Sequence, residues 1–235
     1  MIKHVSLDFW NTMAHPNPEF AHLRNSVLAT LLRRSHEDVR LAYRKVKDAA
    51  DADAERGVHP TKDGIYAQFL GELGVDPSLA DHVAKTLELC FIKNKPLIDP
   101  EILENLVSLS MRGVTFSIAS NVNFIDGPTI VKAKDLRIKP AEARKANPMM
   151  SPVFEFAVFS CAAGFSKPNP LFWQCVLDSV PFGVRSRDVL HIGDNAICDG
   201  SCENHGIQFR KVSCPSETAD VLSGLVSVLE QRRIA

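Results

Sequence analysis

Four short polar clusters in this sequence carry side chains suited to nucleophilic group transfer and to binding of a divalent metal ion. They are Asp8-Phe9-Trp10-Asn11-Thr12, Ser120-Asn121, Lys167-Pro168 and the run from Gly193 to Asp199. A carboxylate such as that of Asp8 can attack a phosphoryl group, and a lysine or a hydroxyl can neutralise or hydrogen-bond the oxygens of that group. Asp194 and Asp199 provide the hard oxygen ligands that Mg²⁺ prefers. Phosphoryl transfer is one reaction that such a set of side chains could carry out if the fold brought them together.

Three of the four clusters, taken alone, also have a purely structural explanation. Asp8 could cap a turn, and Ser120-Asn121 could be an ordinary strand end. Asp194 and Asp199 could be acids favoured at the start of a helix. A functional interpretation therefore depends on whether the elements of the fold bring the clusters together.

Apolar runs predict a strand before most of these clusters. The predicted strands are Ile2 to Phe9, Val114 to Ala119, Phe154 to Phe159, Asp188 to Ile192 and Ile207 to Val212. The predicted helices between and after them run from Asp99 to near Gly113, from Pro170 to Val180 and from Ala219 to Arg232. This alternation predicts an α/β fold with a Rossmann-like, doubly wound and mostly parallel sheet. Because ligands bind beyond the carboxyl ends of such strands, we expect the four clusters to meet there.

A second, all-helical unit is predicted between the first two clusters. From about Pro18 to Phe91 no strand pattern occurs, and apolar residues recur at helical spacing over about four helices. We therefore predict a small helical cap domain over residues 15–96, and a core formed by residues 1–14 and 97–235.

In order along the whole chain, the four clusters resemble the motifs of the haloacid dehalogenase (HAD) superfamily. That pattern has Asp-x-(Asp)-x-Thr at a strand end, Ser or Thr after the second strand, Lys before Pro, and Gly-Asp-x-x-x-x-Asp after the fourth. The resemblance implies a helical cap of the smaller type between the first and second motifs, where this sequence has its helical stretch.

The matching positions imply a role for each residue. Asp8 would be the nucleophile that forms an aspartyl-phosphate, and Lys167 would neutralise both Asp8 and the transferred group. Mg²⁺ would be held by Asp8, the main-chain carbonyl of Trp10, Asp194 and, through a water, Asp199, which could also orient Lys167. The remaining predicted residues are Ser120 and Asn121, which would bind the phosphoryl oxygens, and Thr12, which would brace the turn at Asp8 beside that group.

Trp10 departs from the superfamily pattern. Phosphatases of the superfamily usually have a second aspartate here, which protonates the leaving group and then activates water. An indole cannot transfer protons at neutral pH, and this step commonly contributes about 10² to 10⁴ in rate. The predicted function, a Mg²⁺-dependent phosphatase acting on a small phosphorylated metabolite, therefore needs water, a cap residue or an easily displaced leaving group such as that of an acyl phosphate.

Three alternatives stay open. The 2-haloacid dehalogenases have an aromatic residue at the position of Trp10, but they lack the metal carboxylate that Asp194 represents. A phosphonatase would use a cap lysine such as Lys45 or Lys47, but it has a small residue at the position of Trp10. A catalytically weak member of the superfamily would bind a phosphorylated ligand or a protein.

Composition and charge bear on the partners and the compartment of the protein. The chain has 235 residues, 45% of them hydrophobic, and a formal net charge of -1, so no bulk field favours nucleic acid or an anionic membrane. The sequence lacks a signal-peptide pattern and a long apolar run, and its six scattered cysteines fit reduced thiols, so we expect a cytoplasmic protein. We expect the basic residues between 123 and 152 to be solvated, and nothing in the sequence indicates an oligomeric state.

Overall fold

The structure is a computed structural model that describes residues 1–134, 136–138 and 153–234. Its strands are β1 His4–Leu7, β2 Ala14–His15, β3 Leu97–Ile98, β4 Thr115–Ser120, β5 Arg137–Ile138, β6 Val153–Phe154, β7 Phe156–Phe159, β8 Val189–Gly193 and β9 Gln208–Lys211. Its α-helices are α1 Pro18–Leu32, α2 His36–Glu55, α3 Lys62–Glu72, α4 Ala80–Lys93, α5 Pro100–Ser110, α6 Gly127–Lys134, α7 Ser160–Ala163, α8 Pro170–Ser179 and α9 Pro215–Ile234.

The central sheet is parallel and has the strand order β7-β4-β1-β8-β9. The first strand lies in the middle, and its side chains are buried because helices cover both faces of such a sheet. In the register, Leu7 at the end of β1 pairs with Ile118 of β4 on one side and with Ile192 of β8 on the other. The predicted α/β, Rossmann-like sheet is confirmed.

Two sequence predictions need correction, one for a strand at the edge of the sheet and one for the final helix. The run from Phe154 to Phe159 is not one strand: Phe156–Phe159 joins the central sheet, while Val153–Phe154 pairs with Arg137–Ile138 in a separate two-stranded sheet. The final helix is longer than predicted and begins at Pro215. Its first turn contains Ser, Glu and Thr. A prediction based on the spacing of apolar residues therefore places the start of the helix too late.

Helices α1 to α4 form the predicted helical cap, and local capping explains where they begin. The side chain of Asn17 accepts a hydrogen bond from the Glu19 N–H, with Pro18 at the first helical position. Ser35 and Thr61 cap α2 and α3 in the same way. The division into domains at residues 15 and 96 stays a prediction.

Two short strands mark the places where the chain enters and leaves the cap. Ala14–His15 and Leu97–Ile98 pair as antiparallel strands, with Ala14 opposite Ile98 and His15 opposite Leu97. The incoming and outgoing segments therefore lie side by side.

Other predictions concern membrane-spanning segments, cysteines and surface charge. Among the described helices, none has the length and apolar character needed to cross a lipid bilayer. All six cysteines are free. Of the basic residues expected to be solvated, Lys132 is exposed, whereas the ammonium of Lys134 donates to the Pro96 carbonyl oxygen at 2.7 Å. Lys139, Arg144 and Lys145 lie outside the described residues, and so does the side chain of Arg137.

Candidate active site

The carboxyl ends of three neighbouring strands bring the predicted residues to one edge of the sheet. Asp8 follows β1, Ser120 ends β4, and Asp194 follows β8. The N–H of Asp8 donates to the Ile192 carbonyl at 2.9 Å, so strand pairing extends to the aspartate and fixes its backbone. The carboxylate of Asp8 is therefore held where parallel-sheet proteins bind their ligands.

Lys167 is almost fully buried beside Asp8. Its ammonium donates to Asp8 Oδ1 at 2.8 Å, to the Ala119 carbonyl at 2.8 Å, and to Asp199 Oδ1. An ammonium has three protons to donate, so all of them are used. Burial opposes the charged form, but the carboxylates of Asp199 and Asp8 outweigh it and raise the pKa of Lys167. The side chain is a permanent cation at neutral pH.

Asn121 positions the backbone of Lys167. The Lys167 N–H donates to Asn121 Oδ1 at 2.8 Å, and Asn121 Nδ2 donates to the Lys167 carbonyl at 3.0 Å. A single side-chain amide therefore satisfies both main-chain groups of the lysine. This positioning contact was not among the predicted roles of Asn121.

Asp199 is held by three donors and by a close approach of the backbone. Its Oδ1 accepts from Lys167 and from His191 Nε2, the latter at 3.0 Å, and its Oδ2 accepts from the Asn195 N–H at 3.0 Å. A Cβ atom at Gly193 would lie 2.3 Å from Asp199 Cγ, so only glycine fits there. Burial would raise the pKa of Asp199, but Lys167 and His191 outweigh it and hold the pKa below its usual range.

His191 was missed by the sequence analysis. It is fully buried in β8, and burial lowers its pKa despite its hydrogen bond to Asp199. Its Nδ1 lies 3.2 Å from Ser6 Oγ in the neighbouring strand. A histidine within an apolar strand was the available signal, because a buried polar side chain needs partners.

Asp194 completes a group of three carboxylates. One oxygen from each of Asp8, Asp194 and Asp199 lies within 4.8 Å of the others. Asn11 donates to Asp194 Oδ2 at 3.0 Å, and its φ of 56° is a left-handed conformation that asparagine tolerates. Three hard oxygen donors at this spacing suit Mg²⁺.

The surroundings of Asp8 disfavour the charged form of its carboxylate. Burial raises the pKa of Asp8 to about 7; the Lys167 ammonium opposes this rise, and the charges of Asp199 and Asp194 add to it. A divalent cation among the three carboxylates would favour the ionised form that a nucleophile requires.

Trp10 lies between the sheet edge and the cap. Its ring meets those of Phe9 and Phe91 edge to face, with centroids 4.9 Å and 6.1 Å away. Phe91 in turn meets Phe20 at 5.5 Å. These aromatic rings form an apolar wall around Trp10, the position at which the superfamily pattern has a second aspartate.

A cavity of about 490 Å³ lies between the cap and the sheet edge. It is lined from the core by Asp8, Trp10, Asn121, Lys167, Asp194 and Asp199, among others. The cap contributes charged side chains that the sequence analysis did not assign to the site, including Arg24, Asp51 and Glu55. A volume of this size accepts a small metabolite.

Two predicted residues are not among those that line the cavity. Ser120 is buried, and its hydroxyl lies 3.3 Å from the Asn121 carbonyl oxygen. Thr12 is fully buried, and its hydroxyl has no hydrogen-bond partner among the described residues. The turn after Asp8 is held by main-chain hydrogen bonds, including Asn11 N–H to the Ala14 carbonyl at 2.9 Å.

The chain is similar to known proteins in its fold and not in its sequence. No protein-family model matches the sequence. No curated protein matches it either. Among solved structures, it is similar to the HAD-hydrolase YfnB from Bacillus subtilis bound to magnesium, with a TM-score of 0.69, 16% identity, and coverage of 94% of this chain and 99% of YfnB.

Two further similar structures carry different activities in their names. A HAD phosphatase from Thermococcus onnurineus has a TM-score of 0.60 at 15% identity, covering 90% of this chain and 86% of that one. A 2-haloacid dehalogenase from Pseudomonas syringae pv. Tomato DC3000 has a TM-score of 0.60 at 16% identity, covering 96% and 100%. The chain therefore has the haloacid dehalogenase-like fold, as its motifs indicated, and fold alone does not choose between these activities.

Proposed function

We propose that this chain, which has the HAD-like fold, is a Mg²⁺-dependent phosphatase-type hydrolase that acts on a small phosphorylated metabolite through an aspartyl-phosphate on Asp8. The observation that carries this proposal is the group of carboxylates of Asp8, Asp194 and Asp199, whose oxygens lie within 4.8 Å beside the buried Lys167. Attack on carbon with loss of halide needs no metal ion, so such a group favours phosphoryl chemistry.

The residues present fit a magnesium ion. Asp8, Asp194 and the main-chain carbonyl of Trp10 would hold it directly. Asp199 would act through a water, since both of its oxygens already accept hydrogen bonds. When bound, the ion would neutralise charge on the phosphoryl oxygens and on the clustered carboxylates.

The protein's own side chains would carry the covalent steps. Lys167 holds Asp8 Oδ1, which orients the carboxylate so that an oxygen can attack phosphorus in line. A bond forms between that oxygen and phosphorus while the bond to the leaving oxygen breaks. Water then attacks the aspartyl-phosphate, releasing inorganic phosphate and restoring the carboxylate. Lys167 would stabilise the negative charge in both steps.

The aromatic wall around Trp10 supports a second candidate, a 2-haloacid dehalogenase. There Asp8 would displace halide from carbon to form an ester, and the halide would leave without a proton. An apolar surface of Trp10, Phe20 and Phe91 suits an alkyl halide better than a phosphate ester. The three carboxylates favour the phosphatase.

The test is turnover by the purified full chain. We expect phosphate release from acetyl phosphate and p-nitrophenyl phosphate with Mg²⁺, loss of that release with a chelator, and recovery when Mg²⁺ is restored. Chloride release from 2-chloropropionate would support the dehalogenase instead. Phosphate-analogue binding without turnover of either kind would support a catalytically silent binding protein.

The nucleophile is tested by Asp8→Asn. This variant should lose at least about 10³-fold in turnover, because an amide cannot form the intermediate. Glu104→Gln, at an exposed position of α5, is the matched control and should retain full activity. Phosphatase activity that survives Asp8→Asn would overturn the mechanism.

A further inference from the structure

Arg24 is a cation of the cap buried in the wall of the active-site cavity. It belongs to α1, is 8% exposed, and lines the same cavity as Asp8 and Lys167. Its Nε donates to Asn25 Oδ1 at 2.9 Å. A guanidinium group keeps its positive charge in any protein environment, so the cavity wall carries a fixed cation here.

Aromatic contacts hold this guanidinium group in place. Its central carbon lies 3.6 Å from the centre of the Tyr43 ring and 5.6 Å from that of Phe20. Tyr43 is itself stacked on Phe124 at 4.2 Å. The position of the guanidinium group is therefore set by contacts with aromatic rings, which leaves less freedom to be lost when a ligand binds.

The other cations of the cavity wall have carboxylate partners, and Arg24 has none among the described residues. Lys167 is paired with Asp8 and Asp199, and Lys47 is paired with Asp51. Burying a charge without a counter-ion is unfavourable, and stacking on aromatic rings offsets that cost only in part. A buried guanidinium group without a counter-ion is therefore suited to bind an anionic group of a ligand.

We propose that Arg24 binds a second anionic group of the substrate, a carboxylate or a further phosphate, while the reacting phosphoryl group lies at Asp8 and Lys167. The substrate class would be small phosphorylated acids rather than neutral phosphate esters. This inference rests on the proposed function, because it presumes that the reacting group is phosphoryl. Arg24 would be a specificity residue that takes no part in the bonds that change.

The test uses two ligands that differ in one group. Phosphonoacetate and ethylphosphonate cannot be hydrolysed and share the phosphonate, but only the first has a carboxylate. In calorimetry with Mg²⁺, the wild-type protein should bind phosphonoacetate at least about tenfold more tightly, since a bidentate charged contact contributes more than about 1.4 kcal/mol. Methylenediphosphonate is the third ligand. If the wild-type protein binds it more tightly than phosphonoacetate, the group bound by Arg24 is a second phosphate.

Variants assign that preference to Arg24. In Arg24→Gln the affinity ratio of phosphonoacetate to ethylphosphonate should fall close to one, and Arg24→Lys should restore part of it. Arg44→Gln, on the exposed surface of α2, is the matched control and should keep the wild-type ratio. Circular dichroism and unfolding curves would show whether each variant is folded.

Several outcomes separate this inference from the proposed function. Equal binding of the two ligands by the wild-type protein, or an unchanged ratio in folded Arg24→Gln, would refute the role of Arg24 even if the phosphatase is active. A wild-type preference that Arg24→Gln abolishes would support it even if no phosphate ester is hydrolysed. The wild-type comparison does not depend on the folding of any variant.

Discussion

Lys167 is the residue on which the charges of the site depend. It is 1% exposed and compensates two buried carboxylates, those of Asp8 and Asp199. Removing one partner from such a cluster leaves uncompensated charge in a medium of low dielectric constant. The lysine therefore stabilises the fold, in addition to the role proposed for it in the reaction.

Replacing Lys167 by methionine should lower the free energy of unfolding by about 3 to 5 kcal/mol and abolish turnover, because two buried carboxylates lose their cation. Urea unfolding at pH 7.5 measures the stability. Lys85→Met, at an exposed position of α4, should change it by less than about 0.5 kcal/mol. Equal stability of the two variants would contradict the role assigned to Lys167.

Gly193 provides a steric test of the same cluster. In Gly193→Ala the new Cβ would lie 2.3 Å from Asp199 Cγ, so Asp199 must move away from Lys167 and the Asn195 N–H. We expect a loss of about 2 kcal/mol or more in stability, together with reduced turnover. Gly71→Ala is the matched control, because nothing lies within 4 Å of its Cβ position in helix α3. That control should be neutral or slightly stabilising.

Spacing along the sequence identified the residues that meet in space, but not all of their contacts. Asp8, Asp194 and Asp199 were predicted from strand ends, and their oxygens lie within 4.8 Å. Arg24 could not be found in this way, because a lone arginine in a helix looks like surface charge until the fold buries it. The contact of Asn11 with Asp194 could not be found either, because it depends on a positive φ at Asn11.

At the scale of elements, hydrogen bonds connect the cap to the loops that carry the site. Asn195, in the loop after β8, donates to Glu55 Oε1 at the end of α2 at 3.0 Å. Asn123, after β4, donates to Asp51 Oδ1 at 2.6 Å. Asp51 is in an ion pair with Lys47, whereas Glu55 has no cationic partner among the described residues. Of the two, Glu55 is therefore the better candidate for the acid that Trp10 lacks.

Glu55→Gln tests whether the cap replaces the acid that Trp10 lacks. We expect hydrolysis of an alkyl phosphate, whose leaving group needs a proton, to fall by about 10²-fold, and that of acetyl phosphate to change far less. Asp48→Asn, exposed on the same helix, should leave both rates unaltered. Equal losses on the two substrates would show that Glu55 does not supply the proton.

The elements themselves were largely predictable because their patterns are local. Asp99 caps α5 as expected, its side chain accepting from the Glu101 N–H at 3.0 Å. The separation of Val153–Phe154 from Phe156–Phe159 was not predictable, since one apolar run fits both one strand and two. Val153–Phe154 pairs with Arg137–Ile138, and these two segments are too far apart in the sequence for a local pattern to indicate that they pair.

At the scale of the whole molecule, buried histidines make stability depend on pH. His4 is fully buried in β1, with Nδ1 and Nε2 each 2.8 Å from a hydroxyl, those of Thr115 and Ser117. Burial lowers the pKa of His4 from 6.5 to about 4. Burial also lowers the pKa of His191. Both histidines favour the unprotonated state in the folded protein.

The contribution of His4 to stability should therefore fall as the pH decreases from about 6.5 to about 4, because the unfolded chain binds protons there that folded His4 does not. The raised pKa of Asp8 acts in the opposite direction in this range, so the effect of His4 is measured as the difference in slope between wild type and His4→Gln. His4 alone accounts for roughly 3 kcal/mol across this range. Urea unfolding at several pH values measures the slope, which should be smaller in His4→Gln. The exposed His82→Gln is the control and should keep the wild-type slope. An identical slope in His4→Gln and wild type would contradict the assignment.

The paired strands Ala14–His15 and Leu97–Ile98 have a consequence for how such a protein diversifies. Because β1 and β4 are already neighbours in the sheet, the helices inserted between them are not needed to span any distance in the core. An insertion whose two ends lie together can be lengthened, shortened or exchanged at a low cost in loop-closure entropy. The segment between these two strands can therefore change its ligand contacts by recombination, while the residues around Asp8 keep their arrangement.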